Sequence, residues 1–195
     1  SDVMLDSPTN NFATLNPLNG FPYLSEGNLK VYGYTDGTNN LVQSSIEIPA
    51  SGKWYAEYCH TFYGGTYIGV STISMDNTYS GARYSYYYNA GGYIETTGQS
   101  NDTAPNSWYT SNTYIIGLAV DSDAGTIKYY LDGVLQTTVT LPTGDAYHFT
   151  YSNAAGGSSA ALNNVFNFGQ DSSFAGNKTP QANSDSNGIG DFFYA

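Results

Sequence analysis

The stretch from residue 114 to residue 141 constrains the fold most, because short alternating runs there are separated by turn-forming pairs. In residues 114–121 one face of an extended chain carries only apolar and aromatic side chains: Tyr114, Ile116, Leu118 and Val120. The other face of that run is also apolar, which is typical of a strand inside a sheet. Asp121 to Gly125 and the pair Asp132-Gly133 suit tight turns between strands. The stretch therefore predicts three consecutive antiparallel strands.

The same alternation recurs along the chain, whereas no segment shows sustained helical spacing of apolar residues. The predicted strands are residues 44–49, 53–60, 66–73, 82–88, 92–97, 114–121, 126–131, 134–141, 147–152 and 165–169. Short strands at this spacing predict an all-β fold, either a sandwich or a barrel. We expect one domain over residues 1–195, with longer connections at 74–81, 98–112 and 153–163. Residues 171–190, rich in Ser, Asn and Gly, are predicted to form a long loop.

Charge excludes several classes of partner. The formal net charge is −11, and the five basic residues are scattered: Lys30, Lys53, Arg83, Lys128 and Lys178. Nucleic-acid binding needs clustered cations, so we expect no nucleic-acid partner. Anionic membrane surfaces are disfavoured for the same reason. No apolar run reaches membrane-spanning length, so no membrane insertion is predicted.

Several motifs together resemble a SPRY domain, a member of the concanavalin-like sandwiches. The segment GKWYAE at 52–57 is similar to an early strand of that family, and YIGVS follows at 67–71. The most specific match is IGLAVD at 116–121 followed by GTIKYYLDG at 125–133, which resembles the family's hairpin pair. FNFGQ at 166–170 is similar to its closing strand. The resemblance implies a SPRY-type fold, which is an all-β, two-sheet antiparallel β-sandwich of the jelly-roll type. It also implies a binding role, but it does not identify the ligand.

Two end segments, DSPTNNF at 6–12 and GDFFYA at 190–195, resemble the variety found in bacteriophage structural proteins. That resemblance implies a virion or extracellular location and a part in a tail, a tail fibre or a decorated capsid. Such relatives continue through a Pro-Pro segment beyond this point. We therefore expect the 195 residues to be a module of a longer polypeptide.

Catalytic patterns are not met, and we expect no enzyme. A glycoside hydrolase needs two carboxylates flanking the scissile bond, but Glu57 is followed by Tyr-Cys-His, and Glu47 and Glu95 have no carboxylate two residues on. His60 and His148 lie outside any nucleophile-elbow motif and are interpreted as hydrogen-bonded structural residues. No phosphate-binding glycine loop precedes a helix, so no cofactor is predicted.

A structural role is the favoured interpretation both for the single cysteine and for the two aspartates that could bind a metal ion. Cys59 is the single cysteine, and its place within a strand favours a small buried hydrophobic residue over a reactive thiol. Asp121 and Asp123 begin like a calcium loop, because carboxylates at alternate positions can converge on a hard cation. The loop lacks the later Glu, so a hairpin turn is the favoured interpretation and the two aspartates remain weak metal candidates.

Aromatic residues beside amides and carboxylates are the strongest binding signal, since such rings stack on sugars or anchor peptides. The predicted ligand-binding residues come from strand ends and polar connections: Tyr63, Tyr67, Tyr86, Tyr88, Tyr93, Asp102, Asn106, Trp108 and Tyr109. A competing interpretation is that alternate strand tyrosines fill the core of a chain poor in Leu and Ile.

The predicted function is a non-catalytic phage virion module that binds a host surface glycan or protein through these loops. One alternative is a purely structural virion or filament component that contacts neighbouring virion proteins or forms a homo-oligomer. Further alternatives are a lectin or glycoside hydrolase of cellular origin, and an intracellular peptide-binding adaptor. The low Lys content argues against the adaptor.

Overall fold

The computed structural model describes residues 11–19, 24–31, 40–61, 66–72, 83–88, 93–96, 99–103, 113–153 and 164–194. Their helical content is one short 3-10 turn, Pro17–Asn19. The strands are β1 (Leu24–Ser25), β2 (Lys30–Val31), β3 (Asn40–Gln43), β4 (Lys53–Thr61), β5 (Thr66–Thr72), β6 (Arg83–Tyr88), β7 (Tyr93–Thr96), β8 (Gln99–Thr103), β9 (Thr113–Asp121), β10 (Thr126–Leu131), β11 (Val134–Thr140), β12 (Tyr147–Asn153) and β13 (Asn164–Asn167).

These strands form two antiparallel sheets. One sheet has the order β1-β2-β13-β4-β9-β10-β11, and the other has the order β3-β12-β5-β6-β7-β8. Residues from both sheets share one continuous hydrophobic core. The predicted all-β, two-sheet antiparallel sandwich is confirmed.

Turn chemistry fixes the run from β9 to β11 as predicted. Asp132 and Gly133 both have positive φ, 45° and 79°, which is the conformation that a two-residue hairpin turn requires. The Asp132 carboxylate also accepts a hydrogen bond from the Ile115 backbone N–H at 2.9 Å. In the preceding turn, Gly125 has φ 61°, and Asp121 accepts from the Ala124 N–H at 2.9 Å. Local residues therefore set the register of both hairpins.

Aromatic rings fill the space between the sheets. The ring of Tyr58 in β4 lies 4.9 Å from that of Phe166 and 6.0 Å from that of Tyr151, which belongs to the opposite sheet. Ile127 and Tyr129 are fully buried, as their alternation predicted. A chain short of Leu and Ile does fill its interior with tyrosine in these places.

The predicted strand at residues 44–49 is wrong, because β3 ends at Gln43. Ser44 and Ile48 form only single bridges, to Leu15 and Tyr147. The Ser44 hydroxyl donates to the Ile46 carbonyl at 2.8 Å, which turns the backbone away from a continuous ladder. Short hydroxyl side chains often divert the backbone in this way.

The predicted connection at residues 98–112 is also partly wrong, because it contains β8. This strand pairs with β7 and ends the six-stranded sheet as the structure describes it. Its sequence, QSNDT, has no apolar residue, so hydrophobic alternation could not reveal it. Backbone pairing at a sheet edge needs no buried side chain.

Residues 171–190 form turns rather than strands, with one bridge between Asn183 and Phe192. Part of this loop contributes to the core, since Phe174 is fully buried. The following residues 191–194 lie across the outer face of the seven-stranded sheet, against β4. The ring of Phe192 contacts that of Tyr55 there, with 5.2 Å between ring centroids.

Candidate functional site

Glu57 in β4 is a buried carboxylate, and all of its acceptor positions are used inside the protein. Oε1 accepts from the Tyr194 N–H at 2.7 Å and the Tyr55 hydroxyl at 3.2 Å. Oε2 accepts from the Phe193 N–H at 2.8 Å and the Asn167 side-chain amide at 3.3 Å. An ionised carboxylate offers about four lone-pair sites. Glu57 therefore anchors residues 193–194 to the sheet.

Burial raises the pKa of the Glu57 carboxyl, and the hydrogen bonds from Phe193 and Tyr194 oppose that shift. Gly117, the cross-strand partner of Glu57, makes the arrangement possible. A Cβ at position 117 would lie 2.6 Å from the Tyr55 hydroxyl oxygen. A glycosidase acid or base must reach its substrate. Glu57, with no exposed surface, is a structural residue.

Cys59 and His60 are also structural. Both are buried, at 0% and 2% exposure, and successive residues of a strand face opposite sides. Burial raises the pKa of the Cys59 thiol to about 11, which keeps it protonated and unreactive. Burial lowers the pKa of His60 to about 4, so the ring is neutral, and its Nδ1 lies 3.4 Å from the Tyr58 hydroxyl.

The second histidine also has a structural partner. His148 Nδ1 lies 2.9 Å from the Ser44 carbonyl oxygen, and the residue is 8% exposed. This contact joins β12 to the segment that follows β3. Both histidines therefore have the structural contacts that the sequence favoured for them.

Asp121 and Asp123, the weak metal candidates, each hold backbone at the hairpin between β9 and β10. Asp123 accepts from the Gly52 N–H at 3.1 Å. Asp121 accepts from Ala124 and lies 3.5 Å from the Lys53 ammonium. In the part of the chain that the structure describes, no group of three or more His, Cys, Asp or Glu residues could hold a metal ion. The hairpin role is the one that these contacts support.

Strand registers gather the ends of several connections at one end of the sandwich. Thr61 pairs with Thr113, Thr66 with both Tyr88 and Asn153, and Tyr93 with Thr103. Asn164 pairs with Val31 at the same end of the seven-stranded sheet. We call this region, defined by these strand ends, the tyrosine-rich end. The connections that start and finish there are residues 32–39, 62–65, 89–92, 104–112 and 154–163.

The sequence-predicted ligand-binding residues fall into three groups. Tyr67 is 1% exposed, so it belongs to the interior, which is the competing interpretation for strand tyrosines. Four belong by their backbone to β6, β7 or β8: Tyr86, Tyr88, Tyr93 and Asp102. The remaining four lie outside the described residues: Tyr63, Asn106, Trp108 and Tyr109.

A cleft at the opposite end was missed by sequence reasoning. It has a volume of about 360 Å³ and lies between residues 11–13, 46–49, the start of β4 and residues 185–189. Its exposed apolar walls are Ile46, Trp54 and Ile189. We call this region the acidic end, defined by Glu47, Lys53, Asp121, Asp123 and Asp185. Trp54 is the residue whose position in the sequence could have indicated the cleft. It shares a face with the inward residues Ala56 and Tyr58, but it lies at the start of the strand, where that face is not covered.

Among the described residues, no helix is long and apolar enough to span a membrane. This finding concerns helices alone.

Comparisons with known proteins support the fold. A scan against protein-family models and a search of curated proteins find no match. Among solved structures, the PSpry domain of TRIM65 matches with a TM-score of 0.59 at 17% identity, over 78% of this chain and 92% of that chain. The SPRY domain of human HERC1 matches with a TM-score of 0.50 at 14% identity, over 70% of this chain and 82% of that chain.

Stonustoxin matches with a TM-score of 0.52 at 18% identity, and 72% of this chain covers 25% of that chain. The chain therefore spans about a quarter of the toxin chain. The two packed antiparallel sheets and these structural matches show that the chain has a SPRY-type β-sandwich fold.

Proposed function

We propose that the chain is a non-catalytic binding module that recognises a macromolecular partner with its tyrosine-rich end. The observation that carries this proposal is the pairing register, which collects the ends of five connections in one region. Asp36 is the one charged residue in the sequences of those connections. Gly, Ala, Asn, Tyr and Ser make up most of them instead, with one Trp. Of these residue types, Tyr, Ser, Gly and Asn are enriched in binding loops that anchor with aromatic rings and adapt with small polar groups.

The contacts of Glu57 support a non-catalytic role. Glu57 is the carboxylate in β4 that a hydrolase with this fold could use. Its two oxygens already accept hydrogen bonds from four donors inside the protein. A group in that state can neither protonate a leaving group nor activate water without breaking the attachment of residues 193–194. The cellular lectin or glycoside hydrolase alternative therefore cannot use Glu57.

The finer assignment is to a phage virion, where the domain would be a module of a tail, tail fibre or capsid-decorating protein. Its partner would be a glycan or protein on the host surface, encountered outside the cell. The support is the resemblance of DSPTNNF and GDFFYA to segments of phage structural proteins.

Adsorption to cells tests the proposal. Labelled protein is applied to a panel of candidate host bacteria, together with Trp108→Ala and the matched variant Trp54→Ala at the acidic end. We expect Trp108→Ala to weaken adsorption roughly tenfold or more, as the loss of an aromatic anchor does, while Trp54→Ala retains it. No adsorption to any host by a folded protein, or loss with Trp54→Ala alone, would contradict recognition by the tyrosine-rich end.

The edge strand β11 favours a second candidate function, a structural component that pairs with copies of itself. In the described residues β11 pairs only with β10, and Val134 and Leu135 are 63% and 49% exposed. The strand VLQTTVT has no charge and no proline, two devices that normally protect an edge. A bulge opposite Tyr129 and Tyr130 is the one such device present.

Sedimentation velocity distinguishes this candidate. A structural role predicts a concentration-dependent dimer that Thr138→Lys abolishes, because a lysine on the exposed edge opposes strand pairing. Thr126→Lys, on the inner neighbour β10, is the matched control and should leave assembly intact. A monomer at every concentration would exclude self-pairing through β11.

A further inference from the structure

The cleft at the acidic end is a formed recess. Its volume of about 360 Å³ lies within the range of roughly 300–1,000 Å³ typical of ligand sites. Both sheets and three connecting segments contribute to its walls, including Phe149 from β12 and Phe168 just after β13. A ligand would therefore meet surfaces that the fold already holds in place.

Trp54 provides a fixed aromatic surface in this cleft. Its side chain is 39% exposed, although its strand neighbours from Ala56 to His60 are buried. The indole Nε1–H donates to the Ser51 carbonyl oxygen at 2.9 Å. The ring also lies close to Gly52, because Nε1 is 3.6 Å from the position that a Cβ on residue 52 would occupy. These contacts hold the ring before any ligand arrives. Binding to it therefore requires little additional ordering.

The charge of the cleft is negative. Glu47 is exposed in its wall, and Asp185 accepts backbone N–H groups from Asn187 and Ile189, which stabilise its ionised form. Among the described residues of the wall, Lys53 is the one basic residue, and its ammonium lies 3.5 Å from Asp121 and is thereby balanced. The chain as a whole carries a net charge of −11.

We propose that this cleft binds a lysine- or arginine-bearing segment of a protein partner. The cationic group would lie against the face of the Trp54 ring, near Glu47, where a cation and an aromatic ring attract. Apolar side chains of the same segment would contact Ile46 and Ile189, which are 45% and 51% exposed. The site is at the opposite end from the surface assigned above, so it does not depend on the proposed function.

Peptide titration tests the proposal with the 195-residue chain carrying Trp108→Phe, which leaves Trp54 as the single tryptophan. The probe is a capped hexapeptide of alternating Lys and Leu, and its counterpart has Glu in place of Lys. We expect the Lys peptide to change Trp54 fluorescence saturably at one site, and the Glu peptide to have no effect. Isothermal titration calorimetry gives the affinity for a variant that lacks Trp54 and therefore has no tryptophan fluorescence.

Variants separate a specific site from general attraction to an acidic protein. Trp54→Ala should weaken the Lys peptide roughly tenfold, and Glu47→Gln should weaken it roughly threefold. Glu26→Gln removes the same charge from the exposed β1–β2 turn and should have no effect. If Trp54→Ala does not fold, the exposed loop variant Ile189→Ser takes its place and should weaken binding severalfold.

Three outcomes would overturn the proposal. The first is equal weakening by Glu26→Gln and Glu47→Gln, which indicates general charge attraction. The second is unchanged affinity in Trp54→Ala or Ile189→Ser. The third is free arginine binding as tightly as the peptide, which would make the cleft a site for a small cation rather than a protein segment. Because Trp54, Glu47 and Ile189 lie in the cleft, these outcomes report on the acidic end rather than on the tyrosine-rich end.

Discussion

The two faces of strand β4 are buried by different means. The inner face meets the second sheet through aromatic packing, with Tyr58 against Tyr151 of that sheet and beside Phe166 of its own sheet. The outer face is covered by residues 191–194, attached through the Glu57 carboxylate. Apolar packing tolerates changes of shape that keep volume, whereas a buried carboxylate depends on each of its donors. The inner face of β4 should therefore tolerate substitutions that keep side-chain volume, whereas the outer face should be sensitive to any change in the hydrogen bonds of Glu57.

The largest effect is expected on the inner face. Tyr58→Ala removes a fully buried ring and should lower the free energy of unfolding by about 4 kcal/mol, since truncating a core aromatic leaves a cavity. Urea denaturation measures this loss. Tyr58→Phe keeps the ring and should cost less than about 1.5 kcal/mol. Equal losses from both variants would show that the hydroxyl, rather than ring packing, stabilises this face.

Acid should also act on the inner face, through His60. Its pKa in the folded protein is about 4, below the ordinary 6.5, so the unfolded chain binds its proton first. The contribution of His60 to the free energy of unfolding is therefore fully present above about pH 6.5. It is lost as the pH drops toward about 4, and the loss is at most about 3 kcal/mol. Denaturation across this window measures the effect. His60→Phe should remove the His60 part of the slope, and an unchanged slope would contradict the assignment.

On the outer face, Glu57→Ala should cost about 2 kcal/mol, because it leaves internal donors without their acceptor. The effect should be local as well as global, since residues 193–194 lose their attachment. Hydrogen exchange at the Phe193 and Tyr194 amides should accelerate more than exchange in β9. Glu57→Gln keeps one of the two acceptor oxygens and should give a smaller acceleration. Uniform acceleration across the sheet would mean that Glu57 does not hold this segment specifically.

The smallest effect concerns the ionisation of Glu57. Burial raises its folded-state pKa, so the folded protein holds this proton longer than the unfolded chain. Its contribution to stability is therefore greatest at low pH and decreases as the pH rises through the raised pKa, opposite in sign to that of His60. Asp121 and Asp185, whose pKa values are lowered, also make stability depend on pH. The difference in stability between the His60→Phe protein and its His60→Phe, Glu57→Gln double variant therefore isolates the Glu57 contribution. This difference should decrease as the pH rises, and an increase would refute the shift.

Sequence alone predicted the inner face well, because alternation reports burial against a partner sheet. The hairpins at 121–125 and 132–133 were predictable for the same local reasons, since Gly125, Asp132 and Gly133 adopt the positive φ that such turns need. The strand β8 was not predictable, because it has no apolar side chain and depends on backbone pairing.

The outer face and the cleft could not be predicted, because both depend on contacts between residues far apart in the chain. Nothing near Glu57 in sequence indicates that the Phe193 and Tyr194 amides will donate to it from 136 and 137 residues away. Likewise, Trp54 resembles any inward strand residue until Ile46 and Ile189 are placed beside it. Local patterns give strands and turns, whereas sites depend on the tertiary arrangement.

The nearly uncharged connections of the tyrosine-rich end have a kinetic consequence. At ionic strengths of about 0.1 M and above, distant charges of the domain are screened over roughly 10 Å. A partner docking at these connections would then associate at roughly 10⁵–10⁶ M⁻¹s⁻¹, at rates that change little with further salt. Tight attachment would then have to come from slow dissociation. Above that ionic strength such a surface would capture its target with similar efficiency as salt rises, while contacts at the acidic end would weaken.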